Sequence, residues 1–391
     1  MTTAERVPFS KTSASVNLDA LRALAAGTVL LSHWRALLFV DFGQLHAHKL
    51  LLAVPYVISG AGHQAVIIFF VLSGYLIGSS VVRSVRRDRW EWREYLFQRL
   101  TRLWIVLIPA LLLCAVLDGV GMASHAAPLL YKGLTGNHVT QDVTVANGFR
   151  VFFGNLFFLQ QTAGPTYGSD GPLWSLANEF WYYLMFPCAL IALRRGVTWR
   201  RRLLHGVVLV AMLALLSRAI VVLFPAWLAG AALAFVDLPE VSRRLRPVVM
   251  AAYVPVFFFL AKAHWIPATL SDYLLTAATV PLMLCLLSYR VEARETQWVR
   301  VARRSAGFSY TVYLVHVPFL TLAAALLAHE SRWQPSAAHV GGALGILALT
   351  VAYAYGVASV TEFHTDKLRA FIGKRFAGFF SPERARVKAA E

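Results

Sequence analysis

Runs of about 20 apolar residues recur along this chain, and they constrain its fold more than any other feature of the sequence. As an α-helix, a run of that length crosses the hydrocarbon core of a bilayer. The composition agrees, because 58% of the 391 residues are hydrophobic and only 15% are charged, against about a quarter charged in a typical soluble domain. Since a spanning helix satisfies its own backbone hydrogen bonds, the sequence predicts an all-α bundle of membrane helices.

Ten such runs follow one another along the chain. They lie at 18–40, 63–82, 99–118, 173–193, 203–217, 219–236, 248–263, 270–289, 306–328 and 339–360. The pair 203–217 and 219–236 is the least regular, because Arg218 and Pro225 lie close to its turn, and one long span is the alternative. The polar stretch 1–16 lacks the apolar core of a signal peptide, so the first run is expected to be a permanent span.

The net charge of +17 is distributed unevenly over the segments that join these spans. With the N-terminus inside the cell, 30 of the 37 Lys and Arg residues fall in cytoplasmic segments, as the positive-inside rule requires. This asymmetry favours about ten transmembrane helices with both termini in the cytoplasm. It also accounts for the positive charge without nucleic acid, for which the sequence offers no basic stripe on a soluble face.

The longest connection, 119–172, is predicted to lie outside the cell. Its apolar stretch 149–162 is too short for a span, and a span there would place the later arginine blocks outside. We therefore predict an interfacial or re-entrant helix, in a region suited to a lid or to acceptor binding. The predicted organisation is a membrane domain at 1–365 and a basic cytoplasmic tail at 366–391, helical at first and then disordered.

Ionisable side chains inside a bilayer are costly and are functional candidates by default. Eleven positions separate Arg22 from His33, so on a helix both face the same way, about 16 Å apart along the axis. Glu179 and His316 reach a depth similar to that of His33 in two other predicted spans. Three ionisable groups from three helices can therefore meet near the middle of the bilayer.

Two of these groups have polar neighbours on the same helix face. Ser175 precedes Glu179 by four residues, and Tyr313 precedes His316 by three. Each group also has a purely structural alternative. His316 can simply hydrogen-bond a neighbouring helix, and Glu179 can be a structural partner of an arginine or a histidine.

Arg99 and Arg102 share a face at i and i+3. They are either interfacial anchors, which the spacing alone favours, or part of a pocket for an anionic ligand. A further group of histidines is predicted to be solvated loop residues, since no metal-like pairing with a carboxylate is evident in the sequence, and no metal site is predicted. These histidines are His46, His48, His63 and His125.

Five stretches of the sequence carry a resemblance that covers nearly the whole chain. They are NLDALRALAAGTVLLSHW at 17–34, IIFFVLSGYLIG at 67–78, YLFQRLTRLWIVLIP at 95–109, GPLWSLANEFWYYLMFP at 171–187 and SYTVYLVHVP at 309–318. In this order they resemble the acyltransferase-3 family of integral membrane O-acyltransferases. The ten predicted spans also agree with that family.

The resemblance implies a cytoplasmic acyl-CoA donor, usually acetyl-CoA, and an acceptor hydroxyl on a sugar of a cell-surface glycan, glycolipid or glycosylated metabolite. It implies that His33 is the catalytic base, with Arg22 in support and Glu179 in the same catalytic group. The implied donor site holds Arg99, Arg102, Ser73, Tyr313 and His316. The implied acceptor site holds Trp174 and Ser175.

The resemblance further implies a multi-pass protein of the bacterial cytoplasmic (inner) membrane whose partners are acyl-CoA, a carbohydrate acceptor and the bilayer. The oligomeric state stays open. Many relatives carry a soluble esterase-like domain after the last span. This sequence ends about 30 residues after its last predicted span, so the membrane domain is expected to complete the transfer itself. The alternative function is a transporter or flippase, against which the sequence has no inverted repeat.

Overall fold

The computed structural model describes residues 8–136, 139–236, 241–242, 244–289 and 291–375. Within these ranges the chain forms sixteen α-helices and no β-strand, so the predicted all-α fold is confirmed. The helices are α1 (Ser13–Leu38), α2 (Lys49–Ile58), α3 (Gly62–Arg86), α4 (Trp92–Ala123), α5 (Pro128–Tyr131), α6 (Val143–Ala146), α7 (Phe149–Leu156), α8 (Leu173–Leu193), α9 (Trp199–Leu215), α10 (Arg218–Ala232), α11 (Leu245–Lys262), α12 (Ala268–Leu287), α13 (Gln297–Gly307), α14 (Ser309–Leu327), α15 (Ala337–Val360) and α16 (Thr365–Arg375).

Eight segments of the described chain are long and apolar enough to cross a membrane. Each of the ten predicted spans coincides with one helix of the structure. Eight of these helices lie in the segments just counted, and the other two, α9 with 17 residues and α10 with 15, are shorter. Their separation agrees with the break predicted near Arg218. The count of ten spans and the side of the membrane on which each end lies stay predictions.

Helix α1 carries both Arg22 and His33. Its start is capped by Thr12, whose hydroxyl accepts a 3.3 Å hydrogen bond from the backbone N–H of Ser15, as N-cap threonines commonly do. The helix packs against α3, α13 and α14. Because it is continuous from Ser13 to Leu38, it holds Arg22 and His33 about 16 Å apart along its axis.

Helices α3 and α10 approach closely enough that only glycine fits at the contact. A Cβ atom at Gly74 would lie 2.0 Å from the carbonyl oxygen of Trp227, and one at Gly230 would lie 1.9 Å from the carbonyl oxygen of Val71. Small residues at such crossings let membrane helices pack backbone against backbone. This contact positions the face of α3 that carries Ser73.

Replacing Gly74 with alanine is expected to destabilise the bundle, because the added methyl group meets backbone atoms that cannot rotate away. Overpacking of this kind costs about 1–3 kcal/mol. Thermal unfolding of the purified protein in detergent measures the loss. Gly345→Ala in α15 is the matched control, since a Cβ there meets nothing within 4 Å, and an equal melting temperature for the two variants would contradict the prediction.

The segment between α4 and α8 is tied to both helices by polar side chains. Asp118, fully buried, accepts 2.7 Å hydrogen bonds from the N–H and the hydroxyl of Ser169. Beside it Gly168 has φ +56°, and a Cβ there would lie 2.3 Å from the Asp118 carboxylate, so glycine is required. Gln161 donates a 2.8 Å hydrogen bond to the carbonyl of Trp174. These bonds fix the start of α8.

The predicted interfacial helix at 149–162 is α7, which has 8 residues and is followed by turns. A helix of that length extends about 12 Å, so it is too short to cross a membrane, as predicted. The basic tail begins as helix α16. The rest of the tail, 376–391, and the first seven residues of the polar N-terminal stretch lie outside the described residues.

Candidate active site

Two histidines from distant parts of the chain meet inside the bundle. Nδ1 of His33 on α1 lies 2.6 Å from Nε2 of His316 on α14, and the two rings are nearly coplanar, with their centroids 4.9 Å apart and an angle of 13° between their planes. His33 is 9% exposed and His316 is fully buried. The structure thus brings two of the three predicted intramembrane groups into direct contact.

The hydrogen bonds fix which nitrogen of each ring carries the proton when both rings are neutral. Nδ1 of His316 lies 2.8 Å from the carbonyl oxygen of Val312, which can only accept, so this Nδ1 is protonated. Nε2 of His316 then accepts a hydrogen bond from Nδ1–H of His33. The lone pair of His33 is consequently on Nε2, as in a general base whose other nitrogen is held by a partner.

A cavity of about 400 Å³ enters the bundle from the end at which α1 begins. Its inner walls carry apolar side chains from α3 and α4, among them Phe69, Leu72 and Leu103. Most of the predicted site residues line it as well. They are Arg22, Ser73, Arg99, Arg102, Ser175, Glu179 and Tyr313.

Basic side chains surround the mouth of this cavity. A second hollow of about 300 Å³ adjoins it there, with Arg22 and Arg102 lining both. We refer to Arg22, Arg99, Arg102, Arg303 and Arg369 together as the basic vestibule. The carboxylates of Asp19, Glu362 and Asp366 also line the second hollow, so they balance part of its charge. Nε of Arg99 is buried and meets no hydrogen-bond acceptor among the described residues, so it is an unsatisfied donor beside the cavity that Arg99 lines.

Glu179 organises a polar patch in the inner part of the cavity. Its carboxylate accepts a 2.6 Å hydrogen bond from the hydroxyl of Ser73 and another from the hydroxyl of Tyr183. The indole N–H of Trp227 in turn donates to the Ser73 hydroxyl at 3.3 Å. The predicted residues Ser73 and Glu179 therefore belong to one network between α3 and α8.

Tyr313 connects the cavity with the histidine pair. Its hydroxyl lies 2.5 Å from the hydroxyl of Ser175, and its ring centroid lies 6.2 Å from that of His316. Tyr313 and Ser175 line the cavity, whereas the described lining includes neither histidine. Tyr313 therefore forms the wall between the inner end of the cavity and His316.

The family model described as "Acyltransferase domain" matches residues 15–358, which include both histidines, Glu179 and most of the vestibule. The chain belongs to this acyltransferase family. The predicted resemblance is thereby confirmed, and the apolar helices together with the family identify a multi-pass membrane protein.

The relatives of this acyltransferase domain include several proteins with named activities. The chain is 28% identical over 181 residues to the O-acetyl transferase of Shigella phage Sf6, a match that covers 46% of each chain. It is 30% identical over 154 residues to the peptidoglycan O-acetyltransferase OatA of Listeria monocytogenes, covering 38% of this chain and 22% of that one. The chain thus spans less than half the length of each relative it matches. No solved structure matches it significantly.

One prediction about the histidines of this acyltransferase domain is wrong in part. His63 is exposed, as predicted, but it lies in the first turn of α3 instead of a loop, and its Nε2 is 2.9 Å from the carboxylate of Asp272 on α12. Its ring also stacks on Trp174, with centroids 6.0 Å apart. The two partners are 209 positions apart in the sequence, so no local pattern indicates the pair.

Two other polar residues of the acyltransferase domain escaped the sequence analysis although a signal was present. Tyr183 follows Glu179 by four residues, and that spacing places both on one helix face. Asp118 ends the predicted span 99–118, so the criterion that selected Glu179, a carboxylate within an apolar run, also points to it.

Proposed function

We propose that this protein is a membrane O-acetyltransferase that moves an acetyl group from acetyl-CoA to a hydroxyl of a cell-surface sugar. The observation that carries the proposal is the His33–His316 pair, whose hydrogen bonds leave a lone pair on Nε2 of His33. This pair lies behind Tyr313 at the inner end of a cavity whose mouth is basic. The family and the printed names of the relatives support the same reaction class.

In this proposal the basic vestibule binds the phosphates of CoA. Guanidinium groups form charge-assisted, often bidentate hydrogen bonds with phosphate oxygens, and Arg22, Arg99 and Arg102 line the same cavity. The thin pantetheine arm would occupy the apolar part of the cavity, along Phe69 and Leu72. The nucleotide then stays at the end of the bundle while the thioester approaches Ser175 and Tyr313.

This arrangement changes the proposed role of Arg22. It lies about 16 Å along the axis of α1 from His33, beyond the reach of its side chain, and it lines both hollows at the mouth. We therefore assign Arg22 to the donor phosphates, together with Arg102, and leave the proton transfer to the histidine pair.

The chemistry requires a base because a sugar hydroxyl is a weak nucleophile. Nε2 of His33 takes the hydroxyl proton while the oxygen attacks the thioester carbonyl carbon. When the resulting tetrahedral intermediate collapses, the carbon–sulfur bond breaks and the imidazolium of His33 returns its proton to the CoA thiolate. His316 stabilises that imidazolium by accepting from its Nδ1–H. The side chain of Tyr313 must turn aside to admit the acyl group.

Replacing Arg99 or Arg102 with alanine is expected to raise the KM for acetyl-CoA about tenfold or more and to leave the KM for the acceptor unchanged. The reason is the loss of a charge-assisted hydrogen bond, worth about 1.5–3 kcal/mol. Arg87→Ala, at the exposed end of α3, is the control because Arg87 lines neither hollow. An unchanged donor KM in both variants would contradict a phosphate site at the vestibule.

The deciding experiment is a transfer assay with the purified protein. Acetyl-CoA is supplied together with surface glycan extracted from cells that lack the protein, and free thiol and acetylated glycan are both measured. We expect the two products in equal amounts. Transport of the glycan across proteoliposomes with no release of thiol would instead identify a transporter and overturn the proposal.

A further inference from the structure

We infer that His63, Asp272 and Trp174 form the subsite that binds the acceptor sugar, with the sugar ring on Trp174 and one of its hydroxyls on Nδ1 of His63. This inference rests on the proposed function and deepens it by naming the groups that recognise the acceptor. A sugar has a flat apolar ring face bordered by hydroxyl groups, and these are the two features that the subsite would recognise.

The three side chains come from the N-terminal ends of three helices. His63 is the second residue of α3, Trp174 the second of α8, and Asp272 the fifth of α12. The imidazole stacks on the indole at 6.0 Å and bonds the carboxylate at 2.9 Å. The start of α3 contacts Ser32 near the end of α1, whereas the donor cavity opens where α1 begins, so this cluster lies toward the end of the bundle opposite the donor mouth.

The cluster also lies next to the histidine pair. A Cβ at Gly62 would lie 2.7 Å from the side chain of Ser32, so the start of α3 abuts α1 at the residue before His33. Trp174 in turn precedes Ser175, whose hydroxyl bonds Tyr313. An acceptor held on Trp174 would therefore approach the reacting centre from the side opposite to the donor.

The proton positions leave His63 ready to accept a hydrogen bond. A carboxylate only accepts, so Nε2–H of His63 donates to Asp272, and in the neutral ring the lone pair is on Nδ1. The side chain of His63 is 46% exposed, whereas that of Asp272 is 8% exposed. An imidazole this exposed would be costly against lipid, so a polar ligand or water is the natural neighbour of His63.

Trp174 supplies the other half of the subsite. Its ring is held edge to face against Phe70 at 6.1 Å, and its backbone carbonyl is held by Gln161 at 2.8 Å. The indole N–H meets no hydrogen-bond acceptor within the described ranges 8–136, 139–236, 241–242, 244–289 and 291–375. It can therefore donate to a ligand, and an indole with one apolar face and one donor suits a sugar ring.

Binding of the acceptor without any donor tests the inference. Radiolabelled surface glycan from cells that lack the protein is titrated onto purified wild type, His63→Phe and His63→Gln. Phenylalanine keeps an aromatic ring beside Trp174 but removes the acceptor nitrogen, and we expect its Kd to rise roughly tenfold. Glutamine can still donate to Asp272 and offer an acceptor oxygen, so we expect a Kd within about threefold of wild type.

Two further variants guard against misfolding and nonspecific effects. The double variant His63→Phe/Asp272→Asn removes the carboxylate charge that phenylalanine would leave unpaired, and it should bind glycan as weakly as His63→Phe. His339→Phe is the matched control, because His339 stacks on Trp333 at 5.0 Å in a comparable pair, and its Kd should equal that of wild type.

The outcomes separate this inference from the proposed function. Equal glycan affinity in wild type and His63→Phe, or no glycan binding by wild type, would overturn the acceptor subsite. Glycan binding that depends on His63, in a protein that never releases thiol from acetyl-CoA, would overturn the transferase proposal and leave the sugar site standing. In the transfer assay, His63→Phe should raise the KM for glycan and leave the KM for acetyl-CoA unchanged.

Discussion

Replacing His33 with alanine is expected to lower the rate of acetyl transfer by about 10³-fold while the helix bundle stays folded. General-base catalysis by a positioned side chain contributes typically 10²–10⁴-fold, and in the proposed reaction His33 is the group that takes the hydroxyl proton. The variant should still bind acetyl-CoA normally, because the basic vestibule lies about 16 Å away along α1. Single-turnover transfer and acetyl-CoA binding, measured on the same preparation, check both expectations.

The control for this variant is another buried histidine. His205 is 9% exposed, as His33 is, and its Nδ1 bonds the carbonyl of Arg201 at 2.7 Å. His205→Ala carries a comparable cost of removing a buried imidazole from a helix, and it should transfer acetyl at the wild-type rate. Turnover near that of wild type in His33→Ala would remove His33 from the mechanism.

The fold could be predicted largely from the sequence because membrane helices are encoded locally. Each needs about 20 apolar residues in a row, and the predicted span 173–193 coincides with α8, whose bounds are Leu173–Leu193. The break near Arg218 was predicted with one long span as the alternative, because Arg218 and Pro225 lie close to the turn. The stretch that forms α7 could be predicted not to cross because it is shorter than a span requires, and because a span there would place the later arginine blocks outside.

The candidate site could be predicted only in part, because its contacts depend on how the helices are rotated against one another. The spacing of Arg22 and His33 fixed their shared face and their separation, since both lie on one helix. The similar depth of His33, Glu179 and His316 predicted that these groups could meet. The partner of His33 is 283 positions away, however, and no local pattern indicates which of the three touch. The pairing of His63 with Asp272 was missed for the same reason.

Packing at a few small residues sets those rotations. Gly74 and Gly230 bring α3 and α10 into backbone contact, and this contact turns Ser73 toward Glu179 at 2.6 Å. The sequence does not distinguish a glycine at a helix–helix contact, such as Gly74, from one with no atom near its Cβ position, such as Gly345. The single sequence therefore located the polar residues by depth and left open which of them meet.

Replacing His316 with leucine is expected to lower kcat about 10²-fold and to change neither the KM for acetyl-CoA nor that for the acceptor. Leucine cannot accept a hydrogen bond from Nδ1–H of His33, so the ring loses the partner that fixes its tautomer and stabilises its imidazolium. Loss of such an orienting partner is costly in other histidine bases. Steady-state kinetics with each substrate varied in turn measures the split between kcat and KM.

A double variant decides whether the two histidines act as one unit. If His316 works only through His33, then His33→Ala/His316→Leu should be no slower than His33→Ala alone, because residues of one catalytic unit are strongly non-additive. His316→Gln should recover part of the lost rate, since its amide oxygen can accept from Nδ1–H of His33. If the rate losses of the two single variants multiply in the double variant, His316 contributes independently of His33. That result would contradict a base at Nε2 of His33 whose tautomer is fixed by His316.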